Sequence, residues 1–113
     1  MDFHRVGQRG EVTVAAMLRS AGYEVRRAHK SLGTFDLIAR RGKTLLAVQI
    51  KASRSTKTKG KPYKEYAMLM RSDYPQSCRR IWWDVFVGDN AIHTLYEAFS
   101  DSRLERIELR SVL

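Results

Sequence analysis

Residues Gly33 to Ser53 read GTFDLIARRGKTLLAVQIKAS, and no other stretch restricts the possible folds as tightly. Two apolar runs with strand-type alternation flank a short basic turn. The pattern predicts a β-hairpin, with strands over roughly Phe35 to Arg40 and Thr44 to Ala52. Arg41-Gly42-Lys43 is the turn, where glycine supplies the backbone angle that a short connection needs. The two-residue period of a strand puts Leu45, Ala47, Gln49 and Lys51 on one face and Leu46, Val48 and Ile50 on the other. Asp36 stands inside an apolar run, between Phe35 and Leu37. Asp36, Gln49 and Lys51 therefore interrupt strands that otherwise read as core. Burying a carboxylate or an ammonium unpaired costs several kcal/mol, so placing both in one hairpin needs a reason. One reason is a structural Asp–Lys ion pair at the sheet end. The other is a metal-dependent phosphodiesterase site.

The chain's 113 residues predict one domain spanning 1–113, with enough apolar content for a single modest core. The formal net charge is +9, which points to a polyanionic partner, nucleic acid first. An anionic membrane surface is the other basic-protein partner. However, no stretch is apolar enough to span a bilayer, and Met1-Asp2-Phe3-His4-Arg5 lacks the apolar run of a signal peptide. No membrane association is expected. The lone Cys78 excludes an internal disulfide, and no Cys/His set has zinc-finger spacing. The expected compartment is reducing, the cytoplasm of a bacterial, archaeal or phage-infected cell.

Residues from about Arg5 to Ala21 predict an amphipathic helix, with Val14, Leu18 and Ala21 at helical spacing and Gly22 as its stop. Glu11 falls in the middle of the apolar stripe, one turn before Val14 and Ala15. Either it serves a site, or it gains from the helix start, where the dipole favours an anion. Arg5 and Arg9 flank it and are placed to meet phosphates. Tyr23 to Ala28 alternates as a short strand, Tyr23 and Val25 inward and Glu24 and Arg26 outward. His29, among lysines and arginines, reads as a surface or phosphate contact rather than a base. Lys30 and Ser31 precede the Gly33 turn, where they either bind a phosphate or do ordinary turn chemistry.

From Lys51 to Lys64 there are six basic residues and no acid, interleaved with Ser, Thr, Gly and Pro. Such a composition predicts a flexible loop. Because it leaves the strand that carries Gln49 and Lys51, Arg54, Lys57, Lys59 and Lys61 read as a nucleic-acid clamp with steep salt dependence. Tyr63 to Met70 fits a short helix or a strand, helix being preferred. Ile81 to Val87 is a strand and Ala91 to Tyr96 its hairpin partner. Trp82 and Trp83 must face opposite ways, one packed in the core and the other nearer a surface. Asp84 lies opposite Trp83 and receives no catalytic role. Asp101 to Leu113 is expected to form a turn and then an edge strand, with Ile107 and Leu109 alternating against Arg106, Glu108 and Arg110.

Divalent-metal hydrolysis of a phosphodiester needs hard oxygen ligands and a cation beside the activated water. The pattern Asp36 … Gln49-Ile50-Lys51 resembles the PD-(D/E)XK nuclease motif. The preceding helix with Arg9-Gly10-Glu11 is similar to that of the archaeal-type Holliday junction resolvases in that superfamily. The resemblance covers roughly Arg5 to Ser53. It implies an α/β fold of the restriction-endonuclease-like class, an αβββαβ core with a mixed central sheet. Carried onto this sequence, it makes Glu11 and Asp36 metal ligands, puts Gln49 at the (D/E) position as a third ligand, and makes Lys51 the catalytic lysine. Arg9, Arg26, Arg27 and Ser31 fall where such resolvases contact DNA phosphates. Two residues depart from the motif. Phe35 replaces the proline, which does no chemistry. Gln49 replaces a carboxylate, and its amide oxygen ligates a hard cation without adding charge, so metal affinity should be weaker.

The expected activity is thus Mg²⁺-dependent DNA endonuclease, with Mn²⁺ able to substitute, resolving Holliday junctions in DNA recombination and repair. A four-way junction has approximate two-fold symmetry, so a homodimer is expected, the apolar row Ile107, Leu109 and Leu113 being the candidate contact. The alternatives are another PD-(D/E)XK endonuclease, of homing or restriction type, and a DNA-binding module with a decayed site.

Overall fold

The computed structural model describes residues 3–27, 35–53, 78–87, 92–99 and 103–113, with side chains from Gln8 onward. Helix α1 spans Phe3–Ser20. Its stop follows from Gly22, whose φ of 94° is costly for any residue with a Cβ. Gly22 N–H donates to Arg19 O at 3.0 Å and Tyr23 N–H to Leu18 O at 3.0 Å, which closes the last turn as a Schellman motif. Leu18 and Tyr23 accompany it as a buried apolar pair in one cluster.

Six strands follow: β1 (Glu24–Arg27), β2 (Leu37–Arg41), β3 (Thr44–Ser53), β4 (Arg79–Phe86), β5 (Ile92–Ala98) and β6 (Leu104–Ile107). They form one mixed sheet in the order β1-β2-β3-β4-β5-β6. All neighbours are antiparallel except β3 and β4, which run parallel. The predicted hairpin is β2–β3, with Gly42 at φ 59° in its turn. The second helix expected from the αβββαβ order, and the Tyr63–Met70 segment, lie outside the described residues. Among the described residues, one α-helix and a six-stranded mixed sheet make the fold α/β, compatible with the restriction-endonuclease-like core.

The sheet buries both faces. On one, Val14, Leu18, Val25, Leu46, Val48, Ile50, Ile81, Trp83 and Val85 pack with α1. On the other, Phe35, Ala47, Cys78, Trp82, Ala98 and Leu104 form a second cluster. The two tryptophans do face opposite ways, but neither is near a surface: Trp82 is 3% exposed and Trp83 0%. The expectation of one outward ring assumed a sheet with a single covered face. At the C-terminal end, β6 is an edge strand as expected. The alternation stops at Ile107, however, and Leu109–Ser111 form a short 3₁₀ helix instead of continuing the strand. Tyr23 Oη donates to Val112 O, and Arg41, stacked over the Tyr23 ring, donates to Ala21 O at 2.8 Å and Leu113 O at 3.0 Å. These bonds hold the 3₁₀ segment against the start of β1.

No helix among the described residues is long and apolar enough to cross a membrane.

Candidate active site

Strand β3 is the base of the site. Leu46, Val48 and Ile50 are buried on the α1 side, whereas Ala47 belongs to the opposite cluster. Gln49 and Lys51 share the Ala47 face by the strand's alternation. Gln49 is half-buried and Lys51 exposed.

Asp36 precedes β2 by one residue. Its N–H donates to Val48 O at 2.8 Å, and its carboxylate Oδ2 accepts the Ile50 N–H at 2.8 Å. The side chain thus takes the place of a main-chain acceptor just beyond the end of the β2 ladder. It lies in the plane of the sheet, against the peptide joining Gln49 to Ile50 and one residue from Lys51. Burial pushes its pKa above the ordinary carboxylate value, and the Ile50 N–H draws it part of the way back. With the Ile50 N–H as its one charge-assisted bond among the described residues, the half-buried carboxylate carries a desolvation cost that a nearby cation would relieve.

Gly10 sets how closely α1 approaches β3. A Cβ at Gly10 would lie 2.7 Å from Ala52 Cβ and 3.5 Å from Ile50 Cγ2. The α1 backbone therefore rests directly on β3, and Gly10 is buried in the contact. Glu11, the next residue, is set beside the end of β3 by that approach. Its side chain is 27% exposed, and its Oε2 lies 3.1 Å from Nη2 of Arg27 on β1. The carboxylate in the apolar stripe thus meets a guanidinium where α1 passes the sheet end.

Three directions of approach result. Glu11 comes from the α1 side, Gln49 and Lys51 belong to the opposite face, and Asp36 sits in the sheet plane between them. Among the described residues no three His, Cys, Asp or Glu side chains form a metal-type cluster.

The parallel register adds neighbours that the sequence could not reveal. Gln49 is level with Trp82, and Lys51 with Asp84. Asp84 is half-buried, so a carboxylate stands on the strand beside the lysine. The indole Nε1 of Trp82 is buried with no hydrogen-bond partner among the described residues. Gly10 was likewise missed. Its signal is a glycine inside a helix, which costs stability unless another backbone must come close.

Of the expected DNA contacts, Arg9, Arg26 and Arg27 are exposed. Arg26 lies 3.6 Å from Glu24, and Arg27 holds Glu11. Arg5 lies in α1, in the part whose side chains are outside the described set. Lys30, Ser31, Arg54, Lys57, Lys59 and Lys61 also lie outside the described residues.

The chain is similar to UPF0102 protein mlr4633 of Mesorhizobium japonicum, with 46% identity over 54 residues. The match covers 46% of this chain and 43% of that protein, so the chain spans less than half the length of the curated relative it matches. No family model matches.

Proposed function

We propose that this chain is a divalent-metal-dependent DNA endonuclease of the PD-(D/E)XK type that cuts branched DNA, four-way junctions foremost, as a homodimer. The observation that carries this reading is the seat of Asp36. A half-buried carboxylate, raised in pKa by desolvation, is fixed by the Ile50 N–H against the Gln49–Ile50 peptide and one residue from Lys51. The name of the matched relative is a family designation that states no activity, so the reading rests on this chain's own residues. The net charge of +9 supports a polyanionic substrate.

The donor set fits a hard cation. Glu11, Asp36 and Gln49 offer only oxygen, the ligand type that Mg²⁺ takes, with Mn²⁺ an expected substitute. Glu11, Asp36 and Gln49 would hold it. When bound, the cation lowers the pKa of a water and neutralises charge developing on the phosphate. The residues supply the rest. The Ile50 N–H holds the Asp36 carboxylate in one orientation, so its oxygens are positioned before substrate arrives. The Lys51 ammonium orients the attacking water and balances negative charge on the scissile phosphate. The exposed arginines of α1 and β1 hold the backbone by phosphate contacts that carry no sequence information.

One observation favours a second reading. The Glu11 carboxylate is committed to Arg27, as expected of a DNA-binding module whose site has decayed. A third possibility is another endonuclease of the same fold, with linear duplex as substrate. Incubating a labelled four-way junction and a linear duplex of the same arms, with and without Mg²⁺, separates the three. Mg²⁺-dependent paired nicks in the junction support the proposal. Equal cutting of duplex supports the restriction or homing type, and binding without cutting supports the decayed module.

A further inference from the structure

The Glu11–Arg27 pair joins two residues that the proposed function assigns to different partners. Glu11 is read as a ligand for the cation and Arg27 as a contact for a DNA phosphate. In the free protein they are 3.1 Å apart. The Arg27 side chain is 70% exposed, so it is free to swing toward solvent, whereas Glu11 is 27% exposed and held by the helix whose Gly10 is packed on Ala52. The arginine is the member with solvent space to move into. A divalent cation and a guanidinium cannot share one carboxylate without like-charge repulsion at a few ångströms. A backbone phosphodiester carries the same single charge as a carboxylate, but its two free oxygens take the guanidinium fork bidentately, whereas Glu11 meets Arg27 through one oxygen.

We propose that Arg27 is a positioning residue that withholds Glu11 from the cation until DNA arrives. A backbone phosphate draws the guanidinium off, Glu11 becomes a ligand, and DNA and metal bind with positive coupling. This rests on the reading of Glu11 as a metal ligand. The coupling is reciprocal, since whatever factor DNA adds to metal affinity, metal adds to DNA affinity. Its size is limited by the exposure of the pair. Exposed ion pairs are worth up to about 1 kcal/mol, which converts to about five-fold. The arrangement makes the free protein load metal up to about five-fold less readily than the DNA-bound one.

The test is a Mn²⁺ titration of the free, intact protein, read by the loss of the free-ion electron paramagnetic resonance signal. Arg27→Gln is expected to tighten Mn²⁺ binding three- to five-fold. Arg110→Gln removes the same charge from an exposed ion pair with Glu108, outside the proposed site, and is expected to leave Mn²⁺ binding unchanged. Arg27→Lys, a smaller change should the glutamine variant fold poorly, is expected to tighten binding by a smaller factor. In a Lys51→Ala background, saturating junction DNA is expected to remove the difference between Arg27 and its glutamine variant. Equal tightening by Arg110→Gln, no change with Arg27→Gln, or a difference that persists with DNA bound each overturn the proposal. Failure of the underlying reading looks different: Glu11→Gln then leaves Mn²⁺ binding at the wild-type value. If Glu11→Gln weakens binding and Arg27→Gln does nothing, the ligand assignment stands and only the withholding role falls.

Discussion

Replacing Gly10 by alanine probes the contact that brings α1 to β3. The added Cβ would stand 2.7 Å from Ala52 Cβ, where carbon atoms normally rest about 3.5–4.0 Å apart. The shortfall is about 1 Å. Strand β3 cannot absorb it, because it is bonded on both sides, to β2 and to β4. The helix must lift instead. Overpacking of this kind costs about 1–3 kcal/mol, and alanine's better helix propensity returns about 0.5–1 kcal/mol. The net expectation is a loss of roughly 0–2.5 kcal/mol in urea unfolding. The functional loss is larger than the stability loss, because Glu11 moves with the helix. A misplacement of about 1 Å costs up to about 100-fold in rate, to be measured as single-turnover junction nicking. Ala52→Gly deletes the opposing methyl and should restore the rate in the double variant. The two changes should then couple by about 1–2 kcal/mol in stability. Two results would refute this reasoning. One is Gly10→Ala gaining the full helix propensity with its nicking rate unchanged. The other is an Ala52→Gly effect that merely adds to it.

Lys51→Ala should abolish Mg²⁺-dependent nicking while junction affinity, measured by fluorescence anisotropy, stays within a few-fold, since affinity comes from many phosphate contacts; a wild-type cutting rate removes Lys51 from the site. Gln49→Glu adds a negative charge beside the other oxygen donors and should lower the half-maximal Mg²⁺ concentration by about ten-fold after desolvation and carboxylate repulsion are subtracted; an unshifted titration of folded protein means that Gln49 does not face the metal. Asp36→Asn should stop nicking yet raise the melting temperature by a few degrees at neutral pH, because the desolvation cost disappears while the amide oxygen still accepts the Ile50 N–H. The sign follows from the raised pKa: the folded state holds the Asp36 proton longer, so wild-type stability falls as pH rises from the ordinary carboxylate range through the folded value, and the variant lacks that fall. His93 accepts the Trp83 indole N–H at Nδ1, 3.0 Å away, and burial lowers its pKa. The unfolded chain therefore binds the extra proton, and stability should drop as pH falls below about 6.5, a dependence that His93→Gln should flatten in thermal melts.

The hairpin, the α1 helix and the face each residue takes on β3 were legible in the sequence because they obey local periods. A strand alternates every two residues and a helix repeats every 3.6, so Gln49 and Lys51 had to share a face and Leu18 had to lie inward. Gly22 and Gly42 marked a helix stop and a turn for the same local reason, a backbone angle that costs other residues energy. Asp36 was conspicuous as a carboxylate in an apolar run. What it does there was not legible, because its partner, the Ile50 N–H, is fourteen residues away across a strand pair. The outward tryptophan failed for a related reason. Alternation says that two neighbours face apart, but only the second core cluster decides that both faces are covered. The pairing of Glu11 with Arg27, the rank of Asp84 beside Lys51 and the closeness of Gly10 to Ala52 are contacts between elements distant in sequence. They depend on where α1 settles and on the register of the parallel β3–β4 pair. No residue specifies either by itself, because both come from packing the whole sheet against its helix.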